Sequence, residues 1–138
     1  AHEYRRSTLK PGDLLISIRG TVGRLAEVPA SLDGANITQD TARLSIAGDH
    51  DRRYVRRVLE SEYAQSQIRR QTTGLAVKGL NIGALRKLQI PIPRDRSIER
   101  ALVDQSEQID NAVRNAETAL RSGRALRKSV IREFLGGN

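Results

Sequence analysis

The sequence predicts an α+β fold: a small mixed-sheet domain with short helices, followed by one long C-terminal helix that forms a coiled-coil arm. Three observations carry this. Residues 13–18 alternate, with Leu14, Ile16 and Ile18 on one face and Leu15 and Ser17 on the other, the period of a half-buried strand. Between residues 53 and 71 the spacing becomes helical, through Val55, Val58, Leu59 and Ile68. Residues 97–135 hold no proline and a single glycine, Gly123, which leaves the longest unbroken helical stretch in the chain.

The elements follow in order. Lys10-Pro11-Gly12 is a turn, and the strand at 13–18 follows it. Arg19-Gly20-Thr21-Val22-Gly23 is a glycine-punctuated connection, and 25–28 is the returning strand of a hairpin. Residues 29–36 form a loop. A third strand lies within 37–46, strongest at Thr41, Ala42, Leu44 and Ile46. Asp49 to Asp51 make a turn able to cap the helix at 53–71, and Ser61 can bend that helix into two. Gly74 ends it, 76–80 is extended, and 81–87 holds one helical turn. Residues 88–93 alternate, and Pro91 makes them an edge strand or an exit from the sheet. Ser97 is placed as the N-cap of the last helix, and Gly136-Gly137 stops it. The boundary between the two domains falls at 96/97.

Composition narrows the chemistry. The 138 residues contain no Cys and only two His, so thiolate zinc sites, disulfides and cysteine nucleophiles are excluded and histidine relays are poorly supplied. Aromatics make up 3%, so the core is aliphatic. No apolar run is long enough to span a membrane, and no signal-peptide stretch opens the chain; the expected setting is the cytoplasm. Gly74 to Gly79 has the glycine spacing of a phosphate-binding loop, but Leu80-Asn81 stand where that loop needs Lys and Ser or Thr. No metalloprotease or nucleophile-elbow motif is present. Neither an enzymatic activity nor a metal or cofactor of the chain's own is expected.

The net charge is +8, and its distribution is uneven. Residues 1–50 balance six cations with six acids, 51–96 carry eleven against four, and 97–138 carry seven against six. Twenty of the 24 cations are Arg, whose planar fork suits phosphates and guanine edges. A basic region of this kind is the footprint of a nucleic-acid binder, or an Arg-rich solvated surface.

The last helix would span about 58 Å at 1.5 Å per residue, more than the diameter of the preceding body. Ile98, Leu102, Ile109, Ala112, Val113, Ala116, Ala119, Leu120, Leu126 and Val130 form an apolar stripe, mostly at a, d and e heptad positions, with small residues at its centre. Leu102, Ile109, Val113, Ala116, Leu120, Leu126 and Val130 are the candidates for a helix–helix seam between two copies of the chain. The other possibility is a helix folded back on its own domain.

The order of segments resembles a known family. Lys10-Pro-Gly-Asp-Leu-Leu-Ile-Ser-Ile-Arg-Gly-Thr-Val-Gly23 comes first, then Gly34-Ala-Asn-Ile-Thr-Gln-Asp40. Then comes Thr73-Gly-Leu-Ala-Val-Lys-Gly-Leu-Asn-Ile-Gly-Ala-Leu-Arg-Lys-Leu-Gln-Ile-Pro-Ile-Pro93, and finally the helix. Together these resemble the DNA specificity subunit of type I restriction–modification systems: the later part of one target recognition domain and the spacer helix after it. The resemblance covers about residues 9–135. It implies a subunit that reads double-stranded DNA, performs no chemistry and docks the methyltransferase and restriction subunits. Two such helices pair antiparallel as a ruler, and S-adenosylmethionine belongs to the methyltransferase. The resemblance does not extend to the upstream part of the family's recognition domain or to its second such domain. The chain also has Arg94-Asp-Arg-Ser-Ile-Glu-Arg100 where many members carry a Leu-Pro-Glu-Gln-like link.

Within that frame, Arg19 and Thr21 lie at a hairpin tip that can reach a groove or a phosphate; the alternative is a tight turn with Arg19 paired to an acid. Asn36 and Gln39 are amides that can bond adenine in the major groove or tie down their own loop. Lys78, between Gly74 and Gly79, is a candidate phosphate contact, with a plain surface lysine as the alternative. Arg56, Arg57, Arg69 and Arg70, with Arg52 and Arg53, supply the basic field.

Overall fold

The computed structural model describes residues 8–46, 48–72 and 79–136. The chain divides into two compact units, Ala1–Arg100 and Ala101–Asn138. The first has three antiparallel strands, β1 (Leu14–Ser17), β2 (Leu25–Glu27) and β3 (Thr41–Leu44), in the order β2-β1-β3. A short 3-10 turn, Ala30–Leu32, lies between β2 and β3. Helices α1 (Arg52–Glu60), α2 (Glu62–Thr72) and α3 (Ile82–Leu85) follow, and α4 (Arg96–Leu135) runs from the first unit into the second. The α+β class read from the sequence is the observed one.

The alternation in β1 decides where the core lies. Leu14 pairs with Glu27 and Leu44, and Ile16 with Leu25 and Ala42. Leu14 and Ile16 are buried on one face, and the helices cover it. Val55 and Leu59 of α1 and Ala64 of α2 close over Leu14, while Ile68 of α2 and Leu80 close over Ile16. Both helices present their buried residues at i and i+4, one turn apart on one side.

Asp51 caps α1, its carboxylate accepting from the Arg53 amide at 2.9 Å. The Arg53 side chain, then its backbone amide, holds the Asp51 carboxyl below the usual range. Ser61 breaks the run into two helices with an extended ψ of 155°. Gln65 bridges the bend to the hairpin, its amide donating to Leu59 O at 2.7 Å and to Gly23 O at 3.0 Å. Gly23 sits at φ 89°, and an added Cβ would lie 2.9 Å from Gln65 Oε1 and 3.4 Å from Ile68. Gly23→Ala therefore combines left-handed backbone strain with displacement of the Gln65 tie. It should cost about 2 kcal/mol, read as a lower urea midpoint at unchanged m-value. A loss no larger than that of Gly20→Ala, where a Cβ meets nothing within 4 Å, would remove the Gln65 part of the argument.

The third strand lies within residues 37–46 as expected, at Thr41–Leu44: Thr38 to Asp40 turn first, with the Thr41 amide on Thr38 O at 3.3 Å, and Ile46 falls beyond the strand. Two expectations need correction. Residues 88–93 join no ladder. The Gln67 side chain takes the place of a neighbouring strand, accepting from the Gln89 amide and donating to its carbonyl, both at 3.0 Å. Pro91 O receives the Tyr54 hydroxyl at 2.9 Å. The cap of α4 is Asp95 rather than Ser97: its carboxylate accepts from the Ser97 amide at 2.8 Å, which lowers its pKa. The expected extended piece at 76–80 lies mostly outside the described residues, as do Gly74 and Gly137.

Candidate nucleic-acid interface

Three separated stretches meet at the end of β1. The Ile18 amide donates to Asp40 O at 2.8 Å, and the Leu80 amide donates to Ile18 O at 2.8 Å. Arg19 and Gly79 form an isolated antiparallel bridge. A Cβ at Gly79 would lie 3.2 Å from Ile18 O, so glycine suits this close backbone approach. The hairpin at 10–23, the loop at 34–40 and the segment opening at Gly79 are thus fastened to one another through two residues.

Around this junction the predicted side chains are exposed. Arg19 lies 3.9 Å from the Asp40 carboxylate, and both side chains are more than half exposed (57% and 65%). Thr21 is exposed, its carbonyl accepting from the Ser17 hydroxyl. Asn36 pairs through its backbone with Thr8. Asn36 and Gln39 are exposed, and among the described residues no hydrogen bond engages either side-chain amide. Lys78 lies outside the described residues.

The other predicted arginines are spread over α1 and α2, and most face acids. Arg56 bonds Glu60 at 2.9 Å and lies 3.7 Å from Glu27; Arg57 lies 3.8 Å from Glu60; Arg69 pairs with Glu62. Arg70 is exposed with no ion pair among the described residues. Exposed pairs of this kind are worth about 0–1 kcal/mol. Glu60 and Glu62 are already counted in the eleven-against-four balance of residues 51–96, so the excess remains but sits on other cations, and at the paired arginines a phosphate can exchange for the carboxylate at small cost.

A second cluster is not apparent from the sequence. Glu99, in the first turn of α4, is 1% exposed. Its carboxylate accepts from the Asp51 amide at 2.9 Å and from Arg96 at 2.8 Å, and it lies 2.9 Å from His50 Nδ1. Arg96 also reaches Asp49 at 3.4 Å. Burial, and then the Glu99 charge, push the nearby Tyr54 hydroxyl pKa upward. The sequence marks Glu99 only as a first-turn acid and His50 as an isolated residue; their meeting is a tertiary event across 49 positions. Among the described residues no group of three or more His, Cys, Asp or Glu is arranged to hold a metal ion. None of their helices is long and apolar enough to cross a membrane.

On α4, the seam residues Leu102, Ile109, Val113, Ala116, Leu120, Leu126 and Val130 are all exposed. Ile131, Phe134 and Leu135 extend the exposed apolar surface beyond the predicted seam. No protein-family model, curated protein or solved structure matches the chain.

Proposed function

We propose that the chain is a non-catalytic DNA-recognition subunit of a type I restriction–modification complex. It binds duplex DNA through the Ala1–Arg100 unit and docks methyltransferase subunits through α4. The observation that carries this reading is the junction at Ile18–Arg19. The three stretches on which the family resemblance rests are far apart in sequence, yet they are hydrogen-bonded to one another there. Exposed Arg19, Thr21, Asn36 and Gln39 lie on the first two of these stretches, and they supply the donors and acceptors that phosphates and base edges require. S-adenosylmethionine is assigned to the partner methyltransferase, not to this chain.

The test is duplex binding at two salt concentrations, with the molecular mass followed by light scattering in the same samples. Six to ten phosphate contacts should weaken binding by about 10³ to 10⁵ between 50 and 200 mM salt. A second reading is favoured by the carboxylates already facing Arg19, Arg56, Arg57 and Arg69. It makes the chain an assembly module whose helix dimerises, with DNA binding lost or incidental. A dimer that shows no affinity for duplex at 50 mM salt would establish that reading and remove the first.

A further inference from the structure

A second acid-free basic stretch, besides residues 63–94, lies outside the middle third. Residues 118–132 hold Arg121, Arg124, Arg127, Lys128 and Arg132 and no acid. All five are exposed, and among the described residues none is engaged by an ion pair. This separates them from Arg19, Arg43, Arg53, Arg56, Arg57, Arg69 and Arg96, which all face carboxylates. At 3.6 residues per turn, Arg121, Arg124, Lys128 and Arg132 fall within a sector of about 80° beside the apolar stripe. Arg127 falls inside the stripe. Glu117, one turn before Arg121, falls in the same sector and bounds the row at its N-terminal end, with no ion pair among the described residues; Glu133, the next acid after the row, projects about 140° from the middle of that sector.

We propose that Arg121, Arg124, Lys128 and Arg132 form a second contact to duplex DNA, gripping the phosphate backbone without reading sequence. The inference rests on the reading that the chain binds duplex. From Arg121 to Arg132 the row runs about 17 Å at 1.5 Å per residue. Duplex DNA presents one negative charge per about 1.7 Å of axis, so the row matches a stretch carrying about ten phosphates. Three of the four cations are guanidinium forks, suited to bidentate phosphate contacts. A second copy of α4 is a poorer match. Of its acids, Asp104, Glu107 and Asp110 are already engaged within their own chain, which leaves only Glu117 and Glu133 to face four cations, and the row lies beside the apolar seam rather than in it.

The test compares the full chain with a variant carrying Arg121→Gln, Arg124→Gln, Lys128→Gln and Arg132→Gln. Mixed-sequence duplex binding is titrated across salt, with helix content and mass recorded in parallel. Glutamine is nearly as good a helix former as Arg or Lys, so α4 is retained. The slope of log affinity against log salt should become shallower by about 3 to 4, close to 0.9 for each phosphate no longer neutralised. A matched variant with Lys at all four positions should keep the wild-type slope. If the wild-type chain binds and the glutamine variant shows the same slope, the row does not touch DNA while the recognition reading stands. If the variant loses self-association and leaves the slope unchanged, the row belongs to a protein interface and the proposal falls. A wild-type chain without duplex affinity at 50 mM salt overturns both this contact and the proposed function.

Discussion

Glu99→Ala should lower the stability of the chain by about 3 kcal/mol, the low end for removing one partner of a buried ion pair. Glu99 is 1% exposed and joins three groups from two regions: the Asp51 amide and His50 before α1, and Arg96 on α4. Removing the carboxylate leaves the Asp51 amide without its acceptor at the start of α1. It also leaves Arg96 beside a cavity with only exposed Asp49 to face. The low end is chosen because Arg96 is itself 43% exposed and water can solvate it. Urea unfolding followed by circular dichroism reads the loss, and amide exchange in the first turns of α4 should quicken. Ile98→Ala changes an exposed position in the same turn and should cost no more than about 0.5 kcal/mol. Equal midpoints for the two variants would mean that Glu99 contributes little to holding this turn.

How much of this was legible in the sequence depends on what each feature is made of. The β1 face, the bend at Ser61 and the extent of α4 come from local periodicity and local breakers, and all three are found where the spacing puts them. Features made by side chains reaching across the fold were not legible. Gln67 standing in for a strand beside Gln89 hides behind an ordinary alternating pattern. Gln65 beneath Gly23 is one polar residue among many in α2. Asp95 outranked Ser97 as the helix cap although both residue types are good caps and stand two apart. Glu99 gave only one usable sign: a carboxylate four residues before buried Val103, on the same side of the helix.

The candidate interface divides in the same way. Charge counting located the cations but not their neighbours. Residues 51–96 have the largest excess, yet Arg56 and Arg57 face Glu60, and Arg69 faces Glu62. The distal part of α4 has a smaller net charge in its segment, and its cations are unneutralised. Availability of charge for a polyanion follows from local pairing, which a window count cannot see. Thr21, Asn36 and Gln39 are exposed, as loop tips are whatever packs beneath them, and so is Arg19, although it too faces a carboxylate, that of Asp40.

The reading of α4 as one half of a helix pair predicts that Leu120→Asp with Leu126→Asp converts a dimer into a monomer. The helix exposes Ile109 at 63%, Leu120 at 55% and Leu126 at 66%. Aligned along one stripe, these form a continuous apolar surface of the kind that marks an interaction site rather than a solvated face. Around them Ala112, Ala116, Ala119 and Gly123 let a second helix come close, so the large side chains on either side can interlock. Burying one Leu side chain contributes about 2 kcal/mol. The pair of substitutions removes four such side chains from a dimer and places four carboxylates in the seam. A dissociation constant weaker by more than about 10⁴ follows. Light scattering across a dilution series reads the mass. The unfolding midpoint of the Ala1–Arg100 unit should stay unchanged in the monomer range, since both positions lie in the other unit. A wild-type chain that stays monomeric at the highest concentration reached would leave the stripe to a different partner, the methyltransferase subunit being the first to test.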